Sequence, residues 1–150
     1  MSENASEQQY HKKFAIDLFN YTWSLLDKPD RTPEDDDQMV HAAHASRFHW
    51  SKVGTAVHLA RGEWQISRVY AVLKRPEPAL YHAQRCLQIC EANSIGDFDL
   101  AFAYEALARA CAVAGKVKVS QQYVEKAKTA SAQIKDEEDR ALVLTDLETI

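Results

Sequence analysis

The stretch Tyr104-Glu105-Ala106-Leu107-Ala108-Arg109-Ala110-Cys111, followed by Gly115, Val117, Ser120, Val124 and Ala127, decides the fold. In its first part a bulky residue, a leucine, a small residue and a further apolar residue recur at three- and four-residue spacing, which is one face of a helix. Gly115 marks a turn, after which small, large and small residues follow at helical spacing. Small residues where two helices cross let the backbones approach, and large ones fill the gaps between them. Leu107, Ala108 and Cys111 are therefore expected to be buried where these two helices meet.

Sliding the chain by 41 residues lays an earlier helix pair on this one. Ile66-Ser67 falls on Leu107-Ala108, Tyr70 on Cys111, Ala79 on Ser120 and Cys86 on Ala127. The earlier copy departs at two places, with Glu63 in the bulky opening position and Ala83 in the later large one. Gln38, Ala42 and Ala45 continue the register backwards, but the first helix does not fit its half of the pattern. Together these residues resemble the tetratricopeptide pattern, in two degenerate copies over roughly residues 60–130, with a third set before them. The period is longer than the usual ~34 residues, which implies longer helices. The resemblance implies an all-α fold in which antiparallel helical hairpins stack as a short right-handed superhelix. An irregular helical bundle is the alternative.

Working outward, the punctuation marks seven helices. The first runs from about Gln8 to Asp27, with Phe14, Leu18, Tyr21 and Leu25 at helical spacing beside Phe19 and Trp23. Lys28-Pro29-Asp30-Arg31 breaks it. Thr32 caps the second, Pro33 suits its first position, and Gly54 offers a left-handed stop. The third spans about Thr55 to Lys74. Arg75-Pro76-Glu77-Pro78 turns the chain into the fourth, which ends near Ala92. Asp97 is placed to cap the fifth, which reaches Ala114. The sixth covers about Val117 to Lys135, and Asp136 begins the seventh. Residues 1–7 read as a flexible terminus and 8–150 as a single helical-repeat domain.

Composition agrees. The 150 residues are 46% hydrophobic and 27% charged, with only four Gly and four Pro, too few for the frequent turns of an all-β chain. A net charge of −4 without a Lys/Arg cluster argues against nucleic acid. No apolar run suits a signal peptide or a membrane span. Cys86, Cys90 and Cys111 are odd in number and lie within helical patterns, which points to reduced thiols and a cytoplasmic protein.

The resemblance also implies a groove lined by the first helix of each pair: Arg61, Trp64 and Arg68 in one copy, Phe102, Glu105 and Arg109 in the other. Helix periodicity reaches the same face independently. Leu59, Ile66, Tyr70 and Leu73 share a core stripe, and Arg61, Trp64 and Arg68 fall roughly opposite. Arg68 and Arg109 are 41 residues apart and should align across repeats, where a guanidinium pair beside an aromatic anchor suits an acidic peptide or a small anionic ligand. Two arrangements are open. Either the arginines face a ligand, or Glu105 bridges them into a structural network while Trp64 fills space against the first or fifth helix. The clamp that tetratricopeptide co-chaperones use for chaperone tails is incomplete here, because Trp64 and Glu105 occupy one of its columns.

Two further clusters carry metal chemistry in principle. Asp37, His41, His44 and Phe48 share a helix face, so His41 and His44 could bind one ion with Asp37. His82, Cys86 and Cys90 lie at i, i+4 and i+8. Packing is the competing reading for both, since buried cysteine behaves as a small hydrophobe. No phosphate loop, dinucleotide fingerprint or nucleophile elbow is present, and no cofactor is expected. The favoured function is a non-catalytic interaction module. A metal-dependent enzyme or sensor using His41 and His44, or a homo-oligomeric structural protein, are the alternatives.

Overall fold

The structure is a computed structural model that describes residues 5–150, and in them it contains seven α-helices and no strand. They are α1 (Ala5–Leu26), α2 (Pro33–Val53), α3 (Ala56–Val72), α4 (Pro76–Ala92), α5 (Asp97–Val113), α6 (Val117–Ser131) and α7 (Glu137–Leu147). Of the stretch expected to be flexible, Met1–Asn4 lies outside the described residues, while Ala5 to Glu7 already belongs to α1. No helix among the described residues is long and apolar enough to cross a membrane.

Local chemistry accounts for most boundaries. Thr32 Oγ1 accepts the Asp35 N–H at 3.1 Å while the Asp35 carboxylate accepts the Thr32 N–H at 3.0 Å, a reciprocal cap on α2. Asp136 caps α7 through the Asp139 N–H at 2.9 Å. Three expectations need correction. Gly54 is extended, at φ −92°, and is no left-handed stop. Its reason is close approach, since an added Cβ would lie 2.8 Å from the Trp50 carbonyl oxygen and 2.9 Å from His58 Cβ. Asp97 does not cap α5: Gly96 stands at the cap, and Asp97 opens the helix with φ 51°. Finally α6 stops at Ser131, short of Lys135, and Ile134 folds back to the core through its N–H to the Ser131 carbonyl.

The 41-residue correspondence of the two helix pairs extends to the backbone. Both ends of α5 lie 41 residues after those of α3. The turns between the paired helices coincide: Lys74 and Gly115 are both left-handed, at φ 59° and 79°, and the next N–H closes on Tyr70 or Cys111 at 2.9 Å in each. The crossing contact is also shared, with its direction reversed. Ser67 Oγ on α3 donates to the Ala79 carbonyl on α4 at 2.8 Å, whereas Ser120 Oγ on α6 donates to the Ala108 carbonyl on α5 at 2.8 Å. Each bond needs a small residue opposite the serine, so the alternation of serine and alanine follows from the close crossing. Leu107, Ala108 and Cys111 are buried at this junction, Ala108 completely.

Consecutive helices pack on one another, and the odd-numbered helices also touch in sequence, α1 on α3, α3 on α5 and α5 on α7. The even-numbered helices do not meet. The odd helices thus form one continuous layer with α3 near its middle. This explains why α3 is buried on more than its expected stripe, with Ala60, Gln65 and Val69 enclosed along with Ile66 and Tyr70. The stripe expected on α1 is rotated. Phe14 and Tyr21 are 42% and 43% exposed, Ala15 and Thr22 face inward in their place, and of the expected stripe Leu25 is buried. Two bonds hold this rotation: Ser46 Oγ on α2 donates to the Ala15 carbonyl at 2.7 Å, and Gln65 Nε2 on α3 donates to the Phe19 carbonyl at 3.0 Å.

Because Lys74 adopts a backbone conformation that its partner position fills with glycine, Lys74→Gly should relieve left-handed strain. Equilibrium denaturation should show stabilisation of about 0.5–1 kcal/mol, the left-handed cost less the entropy of an added glycine. A loss of stability would show that the two turns are not equivalent.

Candidate functional site

The odd-helix layer encloses a cleft of about 510 Å³. Its aromatic walls are Phe19 and Trp23 from α1, Trp64 from α3, and Phe98 and Phe102 from α5, with Leu142 from α7. Arg61, Arg68, Asp27, Asp99 and Asp146 supply its charges, and Cys86 on α4 reaches its floor. Trp64 sits at the centre. Its ring lies 5.5 Å from Trp23 and 5.4 Å from Phe102, the latter edge-on, and the Arg68 guanidinium rests 5.1 Å over it.

Glu105 fixes this arrangement. It is fully buried and accepts three donors: Trp64 Nε1 at 3.1 Å, Arg68 Nη2 at 3.1 Å and Arg109 Nε at 2.9 Å. Arg68 also donates to Asp146 at 2.9 Å, and Arg109 to the Asp146 carbonyl at 3.0 Å and Thr149 Oγ1 at 2.7 Å. Burial alone would lower the Arg68 pKa, but Glu105 and Asp146 outweigh it and hold the guanidinium more firmly charged than usual. Arg61 makes a two-bond pair with Asp99, at 2.8 and 3.2 Å, which raises its pKa. Of the six residues expected in the groove, Arg61, Trp64, Arg68 and Phe102 line the cleft. Glu105 and Arg109 lie behind its wall, so the two arginines do not face one open space. They form the bridged network that the sequence left as its second possibility, and Trp64 packs against both the first and the fifth helix. Phe19, Trp23, Asp27, Phe98, Asp99 and Asp146 were missed as wall residues. The signal available for three of them was their fourfold spacing, Phe19-x3-Trp23-x3-Asp27, along one edge of α1.

The histidine cluster is dispersed. Asp37 and His41 are exposed, and so is Phe48. His44 turns inward, where its Nε2 meets the Tyr70 hydroxyl at 2.8 Å and its ring abuts His82. His82 stacks on Tyr70 and pairs with buried Glu63 at 3.2 Å, which also meets Arg47. Cys86 and Cys90 are free thiols, as is Cys111, and the hydrogen bond to Cys90 together with burial pushes the Cys86 pKa well up. Among the described residues no three His, Cys, Asp or Glu side chains are grouped to hold a metal ion. Neither the Asp37, His41, His44 set nor the His82, Cys86, Cys90 set converges.

No protein-family model, curated protein or solved structure matches this chain.

Two tests follow. Glu105→Ala would leave the Trp64 indole N–H and a share of two buried guanidiniums unmatched, so it should destabilise by about 3–5 kcal/mol, with Glu105→Gln in between. Equal stability of Glu105→Ala in urea would remove Glu105 from the centre of the fold. The second test is pH. Burial depresses the pKa of His44, His49 and His58 below 6.5, aided by His82, His11 and Arg61 respectively. The unfolded chain therefore binds protons first as pH falls, and the folded state loses stability. The melting temperature should be level above about pH 7 and decline as pH drops through about 6.5 toward 5. His44→Gln should make that decline shallower, whereas an unchanged slope would exclude His44 as a contributor.

Proposed function

We propose that this chain is a non-catalytic interaction module on the tetratricopeptide plan, and that it binds its ligand in the cleft of the odd-numbered helices. The observation that carries this reading is that α1, α3, α5 and α7 all contribute walls to one aromatic cavity. Such a cavity is within the size range of small-molecule sites, and its apolar walls also suit the side chain of a bound segment. Apart from Asp27, its charged groups are engaged in holding the walls, and none is placed as a nucleophile with an adjacent base. An acidic ligand would need guanidiniums free to meet it, and Asp99, Glu105 and Asp146 already match those near the cleft. The aromatic walls are then the anchor. Three buried reduced thiols support a cytoplasmic setting.

A second reading has its own observation. Tyr10, Phe14 and Tyr21 on α1, with Phe48 on α2, are exposed, and such an apolar face suits self-association. Sedimentation of the purified chain decides it, since a monomer at tens of micromolar would leave this surface uninvolved.

Nuclear magnetic resonance tests the first reading. Titration of the full chain with a set of small aromatic compounds and short peptides should move the indole N–H signals of Trp23 and Trp64. Trp50 lies outside the cleft, stacked on His58 at 4.1 Å, and should stay still. Binding that moves Trp50 alone, or substrate turnover by the metal-loaded protein, would overturn it.

A further inference from the structure

The cleft has a charge preference that follows from which of its ionic groups are matched. The three guanidiniums in and behind its walls, Arg61, Arg68 and Arg109, are bonded to Asp99, Glu105 and Asp146. Arg68 Nε lacks an acceptor, but it is sealed from solvent and offers no seat for an anion. The fourth carboxylate is Asp27, an exposed residue that makes no ion pair or side-chain hydrogen bond among the described residues. Its two basic neighbours are turned elsewhere. Lys28 bonds to Asp35 at 2.6 Å, and Arg31 bonds to Asp36 at 2.9 Å while also reaching the carbonyls of Leu25 and Leu26.

Position gives this odd acid its meaning. The Asp27 N–H still bonds to the Trp23 carbonyl at 2.9 Å, so Asp27 continues the register of α1 one turn beyond Trp23. Phe19, Trp23 and Asp27 then form a strip along the cleft that is aromatic for two turns and anionic at its end. An ammonium group at that end meets a carboxylate without a counter-ion and a neighbouring indole, and both attract cations. An anion there meets repulsion, and the described cations nearby, Lys28, Arg31, Arg61 and Arg68, are already paired.

Resting on the cleft's being the binding site, we infer that its ligand is a small amphiphilic organic cation, with its aromatic or aliphatic body against Trp23, Trp64 and Phe102 and its ammonium group at Asp27. Cleft volume favours a small molecule as the source of that cation, since about 510 Å³ holds a compact compound.

Three probes with one indole body and different charges test this: tryptamine, the neutral tryptophol and indole-3-propionate, each titrated into the full chain and followed through the Trp23 and Trp64 indole signals. Tryptamine should bind tightest and indole-3-propionate weakest. Asp27→Asn should weaken tryptamine about five- to tenfold, the weight of one charge-assisted contact, and leave tryptophol unchanged. Equal binding of all three probes, or tryptamine binding indifferent to Asp27→Asn, overturns the charge preference while keeping the cleft as the site. Preference for indole-3-propionate also overturns it and returns the arginines to ligand binding. No binding of any probe in the millimolar range overturns both the inference and the cleft reading on which it rests. A lysine-bearing peptide that displaces tryptamine and binds at least a hundredfold more tightly would overturn the small molecule as the source.

Discussion

A single buried carboxylate ties three of the four odd-numbered helices together. Glu105 has no contact with water, and an ionised side chain in that position is tolerable only when its oxygens are well supplied with donors. It receives them from two helices at once, the indole of Trp64 and the guanidinium of Arg68 on α3 and the guanidinium of Arg109 on its own α5. The arginines then carry the constraint to α7 and the residues just after it, where Asp146 and Thr149 complete their bonding. Because each member is the other's counter-charge, the network fixes the mutual register of α3, α5 and α7 as well as their proximity. The orientation of Trp64, and with it the shape of the cleft, follows from that register.

The seven helices, the starts of α2 and α7 at Thr32 and Asp136 and the 41-residue spacing were legible in the chain, because each depends on neighbours a few residues away, whereas Gly54 and Asp97 were misread. Thr32 and Asp35 form their reciprocal cap within one turn, and Gly115 supplies a left-handed residue where the helix must reverse. The small residues at the crossing were legible for a related reason, since Ala108 and Ser120 must leave room for a backbone whatever else surrounds them. What failed was the rotation of α1. Periodicity offered Phe14 and Tyr21 as an inward stripe, but Ser46 and Gln65 reach backbone carbonyls of α1 that can be approached only past small side chains, and these bonds turn Ala15 and Thr22 inward. Nothing within α1 announces partners that lie 31 and 46 residues away.

The candidate site divides along the same line. Periodicity put Arg61, Trp64 and Arg68 on one face, and they share the cleft wall. Alignment of Arg68 with Arg109 across the repeat was a sound geometric argument, yet the side chains do not point into one space, because Glu105 lies between them and captures both. Spacing gives the backbone position of a charge, whereas the direction of its side chain is set by the nearest opposite charge, which is a tertiary fact. His41 and His44 make the same point: one turn apart on a helix, they part company because His44 finds the Tyr70 hydroxyl on α3 while His41 remains in solvent.

The reversed serine bond at the helix crossings bears on how such a chain can change over time. In one pair the hydroxyl comes from the first helix, in the other from the second, and the carbonyl it meets belongs each time to an alanine. What the crossing retains is the bridge between two backbones, and either side can supply it. Two serines would crowd the gap, and two alanines would lose the bridge between the helices, so the two positions are expected to change as a linked pair. Compared column by column, the two helix pairs differ at both places. Compared by the pair, they match.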